Sequence, residues 1–192
     1  MKKNTLKMVA LFVLTIATGK TKGQTNLHLG SYYEGGIVAY ILQPADCGYD
    51  PNKQHGLLAS EKDIQLAGKS KFPWCNSTSI TCAFSNTVYG GIQNTALILN
   101  FCRDSSLTAA GVCATYATPE LPTHWYLPDN KELKYLYNNL YMRGEGNFKP
   151  NNYWSSNETS ASQAIALNFG NGNFISNVPK TTSCLVRAVH SF

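Results

Sequence analysis

Trp125-Tyr126-Leu127-Pro128 runs directly into Asp129-Asn130-Lys131-Glu132-Leu133. The first four residues read as a short strand, and a helix begins immediately after them. Asp129 followed three residues later by Glu132 has the form of a capping box, with aspartate in place of the usual hydroxyl residue. Pro128 stands just ahead, where helices start readily. Leu133, Leu136, Tyr137 and Leu140 then recur at i, i+3, i+4 and i+7. Residues 129–141 are therefore expected to form an amphipathic helix with one buried stripe.

Downstream of this helix the period changes to two. Residues 153–156 (YWSS) start a strand. Ile165, Leu167 and Phe169 alternate with Ala164, Ala166 and Asn168, Gly170-Asn171-Gly172-Asn173 makes a turn, and Phe174 opens the return strand. Asn-Gly between alternating apolar residues is a strong hairpin signal. Residues 184–189 read as a closing strand. Upstream, residues 35–42 (GGIVAYIL) read as a buried strand and residues 55–60 (HGLLAS) as a second one. Asn94 or Thr95 is placed to cap a helix through Ala96, Leu97, Ile98, Leu99 and Phe101; it is apolar nearly all round and should be buried. A shorter helical piece covers residues 107–116. Residues 64–89 mix Ser, Thr, Asn, Pro73 and Trp74 with two cysteines, and read as a long loop region that needs pinning. Strands first, helices in the middle and strands last describe an α+β domain.

Residues 1–23 read as an export signal. Lys2, Lys3 and Lys7 precede an apolar run over residues 8–18, which is too short to span a bilayer as a helix. The formal charge of the whole chain is +5. Five of its sixteen basic residues and none of its eleven acidic residues lie in residues 1–23, so the remainder carries eleven of each and is formally neutral. Basic residues in that remainder are scattered, which argues against a nucleic-acid partner. Residues 24–32 are a lead-in, and residues 33–192 are enough for one domain with its own core. With residues 1–23 removed, no transmembrane segment is expected, and the destination is the periplasm, the cell surface or the medium.

All six cysteines lie beyond residue 46. An even number in an exported chain argues for disulfides, and fifteen pairings are open. Close spacing favours Cys75–Cys82 and Cys102–Cys113, which leaves Cys47–Cys184 to join the chain ends. A zinc site is disfavoured, because no Cys-x-x-Cys pair is present.

Taken in order, Trp125–Pro128 with Glu132-Leu133, Tyr153-Trp154-Ser155-Ser156 and Leu185-Val186-Arg187-Ala188-Val189 resemble a large bacterial family of extracellular domains. That family includes the C-terminal domain of the Lcl collagen-like adhesin and was long catalogued as a domain of unknown function. Gly35-Gly36-Ile37-Val38, residues 55–59 with Asp63, Asn94-Thr95 and Ala109-Ala110 stand where the family has similar phrases. The resemblance implies a C-type-lectin-like fold: antiparallel strands, two main helices and long disulfide-pinned loops. It also implies a non-catalytic binding module for a glycan or surface protein. The adhesin's sulfated polysaccharide ligand does not follow here, since the exported part is neutral. Nor does its trimer, since no collagen-like repeat precedes the domain. Related folds are targets of diversity-generating retroelements, which alter adenine-rich Asn codons.

The residues themselves support no catalytic constellation. There is no Gly-x-Ser-x-Gly elbow and no phosphate-cradling loop. His28, His55, His124 and His190 have no metal-ligand spacing. Glu132 is read as a helix cap, Trp125 and Trp154 as core anchors, and Arg187 as a paired structural cation. An oxidase of the formylglycine-generating type would need a reactive cysteine pair that includes Cys184, and is the third reading. The best binding-surface candidate is residues 147–177, which contain eight asparagines. Within it, Asn151, Asn152, Tyr153, Asn157, Glu158, Asn171 and Asn173 are the expected ligand-binding residues, because amides and tyrosine give adaptable hydrogen bonding and rigid contact. Asn151, Asn152, Asn157 and Glu158 could supply oxygens to Ca²⁺, but their plainer reading is as turn residues, and no cofactor is expected. The alternative to a binding module is a structural component of the cell envelope with no small ligand.

Overall fold

The computed structural model describes residues 26–102 and 105–192. The expected export signal and the first part of the lead-in fall outside the described residues. The rest is a mixed α and β domain with antiparallel strands.

Near the N-terminal end of the described chain, β1 (Tyr32–Tyr33), β2 (Gly36–Ile41) and β3 (Gly56–Ala59) form antiparallel neighbours. The strand β9 (Val189–Ser191) pairs with β3, so the sheet order is β1-β2-β3-β9. This joins the two ends of the domain: Gly56 and Phe192 exchange backbone hydrogen bonds in both directions at 3.1 Å. A two-stranded ladder joins β4 (Phe72–Pro73) to β8 (Ser183–Cys184). The third sheet is the meander β5 (Asn152–Glu158), β6 (Gln163–Asn168) and β7 (Asn173–Pro179).

Three α-helices are described: α1 (Gly90–Phe101), α2 (Ala109–Ala114) and α3 (Asn130–Asn139). The capping box expected at α3 is present in both directions. Asp129 Oδ1 accepts from Glu132 N at 2.9 Å, and Glu132 Oε2 accepts from Asp129 N at 2.8 Å. Leu133, Leu136 and Leu140 are fully buried, as the stripe requires.

Helix α1 differs from expectation. It starts at Gly90, four residues before Asn94, and Asn94 and Thr95 lie inside it as buried polar residues. Their side chains form tertiary bonds. Asn94 is tied to the Ser85 backbone and to Ser156 Oγ, and Thr95 Oγ1 accepts from Leu127 N at 3.0 Å. The helix is also not buried all round, since Ile92 and Phe101 are 47% and 45% exposed.

The expected closing strand at residues 184–189 is divided between β8 and β9. The linking residues pair in turn with other segments. Leu185 bridges Tyr153, the Val186 carbonyl accepts from Ile64 N, and the Ala188 carbonyl accepts from Ser60 N. Arg187 turns inward here, and its guanidinium lies 2.7 Å from Asp63 Oδ1 and stacks 3.7 Å from the Phe148 ring centroid. It is the paired cation expected from the sequence.

The core has two parts. One gathers Phe72, Trp74, Ile98, Trp125, Trp154 and Val186. The other gathers Tyr126, Leu133, Leu136, Tyr153, Leu167 and Phe169. Strand β6 runs between them, so Ala164 and Ala166 on one face and Leu167 on the other are all fully buried.

The long loop between β4 and α1 is pinned from within. The disulfide joins Cys75 to Cys102 at the end of α1. This replaces the expected Cys75–Cys82 and Cys102–Cys113 bridges. Cys82 is exposed with a positive φ of 62°, while its neighbours Thr81 and Ala83 point inward, so it faces away from Cys75. Cys113 sits in the apolar core on α2. The expected Cys47–Cys184 bridge is absent as well: Cys47 is an exposed turn residue, whereas Cys184 is buried on β8 opposite Phe72.

Candidate functional site

The segment singled out for ligand binding divides into an inward part and an outward part. Tyr153 is fully buried. Its hydroxyl donates to Asp63 Oδ1 at 2.9 Å and accepts from Lys149 N. Asn157 is buried, with Oδ1 accepting from Asn130 N and Nδ2 donating to the Ser85 carbonyl, each at 2.8 Å. Glu158 is buried, with Oε1 accepting from Thr81 N and Oε2 lying 2.6 Å from Lys180 Nζ. Lys180 also donates to the Ser79 carbonyl and lies over the Trp74 ring. These three expected ligand residues are therefore structural. Asn157 and Glu158 satisfy backbone groups of the loop over residues 79–87, at the Ser85 carbonyl and Thr81 N, whereas Tyr153 joins Asp63 to Lys149 N.

Asn151 and Asn152 are half-buried at the start of β5. Asn151 Oδ1 accepts from Asn152 N, and Asn152 Oδ1 accepts from Asn168 Nδ2. With Asn157 and Glu158 turned inward, the four oxygens weighed for calcium do not converge. Among the described residues, no group of three or more His, Cys, Asp or Glu side chains is placed to hold a metal. Burial pushes the Cys184 thiol up to about 11 and raises Cys113 well above the ordinary value, so both favour the neutral thiol over the reactive thiolate.

Asn171 and Asn173 remain exposed on the β6–β7 turn. Asn171 Oδ1 accepts from Asn173 N at 3.0 Å, which fixes the turn. Lys134 on α3 donates to the Gly172 carbonyl at 2.8 Å and lies over the Tyr137 ring. The turn is thereby held against the outer face of α3. Across the end of the meander, Asn152, Asn168 and Asn173 stand in register on neighbouring strands.

Next to this turn is a hollow of about 360 Å³ between α3 and β7. Lys131, Lys134, Tyr135 and Asn138 enter it from α3, Phe174 from β7 and Asn86 from the loop ahead of α1. Phe174 is 42% exposed. Asn86 is held in place, because its Oδ1 accepts from Lys131 N at 3.0 Å. Tyr135 is backed by Tyr40, whose ring stacks on it at 3.8 Å between centroids. The arrangement offers an exposed aromatic face, amide donors and acceptors, and ammonium donors on rigid elements.

Sequence reasoning missed the α3 contribution and Phe174. The polar positions of an amphipathic helix read as an ordinary solvated face, and Phe174 read only as the first residue of a strand. The available signal was the combination of Lys131, Lys134, Tyr135 and Asn138 on the face opposite the leucine stripe. A second hollow, of about 520 Å³, lies along α1 beside His124, Trp125 and His190, and its helix side is Ile92, Ala96 and Leu99.

Comparison of the chain with protein-family models and with curated proteins finds no match. Among the described residues, no helix is long and apolar enough to cross a membrane.

Proposed function

We propose that this chain is an exported, C-type-lectin-like module that binds a glycan non-catalytically in the hollow between α3 and β7. The observation that carries this reading is the exposed Phe174 ring beside Asn86, Asn138 and Lys131. A sugar ring has apolar C–H faces that pack on an aromatic, and hydroxyls that both donate and accept. Amides match the second property without requiring a charged ligand. The site is built on a helix and a strand anchored to each other through Lys134 and Gly172, so little ordering is needed on binding. Residues 153, 157 and 158 have no part in it. A glycan array with the oxidised domain, repeated with Phe174→Ala, tests the reading. Selective binding that the variant loses supports it; no binding above background, or binding indifferent to Phe174, overturns it.

A second reading is a structural component of the cell envelope. The apolar positions Ile92, Ala96 and Leu99 along α1 favour it, since exposed apolar grooves mark protein contacts. Sedimentation of the purified chain with and without Ile92→Glu separates the two, because a glycan-binding monomer is indifferent to that change.

A further inference from the structure

The N-terminus of α1 has no cap of its own. Its N-cap residue, Tyr89, has a left-handed backbone and makes no side-chain capping bond. The missing acceptor comes from the first turn of α3. Glu132 Oε1 accepts from Tyr89 N at 2.8 Å, and Glu132 Oε2 accepts from Gly91 N at 3.2 Å. The same carboxylate caps α3 through Asp129 N, and Asp129 Oδ2 reaches back to Thr87 N at 2.8 Å. Two helix N-termini and the preceding loop thus converge on two carboxyl groups, both with no solvent exposure. A Cβ at position 91 would collide with Glu132 Oε2 and with the Leu127 carbonyl, so a glycine is required there.

The charges around this pair do not balance it. Tyr126 faces it from the segment before α3, and Tyr89 from the loop before α1. Lys131, on α3, is an exposed side chain that favours the Asp129 carboxylate from a distance. Asp46 acts on Tyr89 from the far side. The neighbouring strand β5 contributes Ser156 N to the Pro128 carbonyl and Asn157 Oδ1 to Asn130 N, both uncharged. The ion pairs found among the described residues all lie elsewhere. Helix N-termini favour one negative charge, but a second buried one has no partner. Burial and then the Asp129 charge push Glu132 up to about 8, and burial raises Asp129 to about 6 against its backbone N–H donors.

Hydrogen-bond chemistry locates the proton. Tyr89, Gly91, Asp129, Glu132 and Thr87 all meet the pair through backbone N–H groups, which cannot accept. Tyr126 Oη donates to Glu132 Oε1 at 3.0 Å in this structure, and as a hydroxyl it alone among these partners can turn and accept instead. We propose that Asp129 and Glu132 share one proton near neutral pH, carried on Glu132 Oε1 and donated to Tyr126 Oη, and that releasing it loosens the joint between α1 and α3. Asn86 belongs to the loop held by this joint, so the α3–β7 hollow is the surface that responds; that last step alone rests on the glycan-binding reading.

The test needs no ligand. Glutamate carboxyl carbons are followed by NMR through a pH titration, with Glu132 assigned by through-bond correlation. Amide exchange of residues 87–91 is measured alongside. The expected result is one carboxyl titrating above pH 7, and at least a tenfold rise in exchange of these amides between pH 6 and 9 beyond the intrinsic rate. Glu132→Gln should abolish both; if that variant does not fold, the wild-type titration decides. Titration of every glutamate below pH 6, or loop protection that merely follows the rest of the protein, overturns the proposal.

Discussion

Lys180 Nζ lies 2.6 Å from Glu158 Oε2 with both side chains sealed from solvent. The pair sits at the end of β5 and holds the loop around residues 79–81, through the Ser79 carbonyl and Thr81 N. Removing one partner leaves an uncompensated buried charge. Glu158→Leu should therefore destabilise the fold by about 3–5 kcal/mol, measured by chemical denaturation. The double change Glu158→Leu with Lys180→Met should recover most of that loss, because an apolar pair of similar volume avoids the desolvation cost.

The six cysteines should fall into three classes. Peptide mapping of the oxidised protein should find Cys75 linked to Cys102 and no other intramolecular bridge. Alkylation of the native protein should reach Cys47 and Cys82 quickly, and Cys113 and Cys184 only after denaturation. The bridge spans 27 residues of sequence. Replacing both its cysteines with alanine should cost about 3–4 kcal/mol by the loop-entropy relation.

Surface and interior variants within the same late segment should behave oppositely. Phe174→Ala should change stability by no more than about 0.5 kcal/mol, while weakening glycan binding by about tenfold or more, as for loss of a stacked aromatic contact. Tyr153→Phe removes a buried hydroxyl from Asp63 and leaves Lys149 N without its acceptor. It should cost about 1–3 kcal/mol. Calorimetry of both variants and array binding of the first check this.

Acid should stabilise the α1–α3 joint. Glu132 and Asp129 are raised in the folded state by burial, so the folded chain holds protons that the unfolded chain releases. Their contribution is fully present below about pH 4, where both states are protonated, and is lost as pH rises through about 6 and then about 8. Urea midpoints should therefore fall across that range by more in the wild type than in Glu132→Gln. A flat difference between the two proteins would contradict the assignment.

Elements whose signals are local were legible along the chain. The capped helix α3 with its leucine stripe, strands β2 and β3, and the hairpin at residues 170–173 each depend on residues within one or two turns of chain, so their periodicity and turn chemistry suffice. The fate of the polar residues was not local. Asn157 and Glu158 look like exposed residues in the sequence, and only folding brings Ser85, Thr81 and Lys180 beside them. Asn94 has the chemistry of a helix cap, yet Ser85 and Ser156 recruit it into the interior of α1. Close spacing argued for pairing Cys75 with Cys82, but an alternating in-and-out segment turned Cys82 to solvent and left Cys102 as the reachable thiol. Tertiary structure decided these points because a side chain's hydrogen-bond and disulfide partners depend on distances in space. The aromatic and amide surface between α3 and β7 has the same origin: a helix and a strand about forty residues apart acquire a shared face only once Lys134 has closed on Gly172.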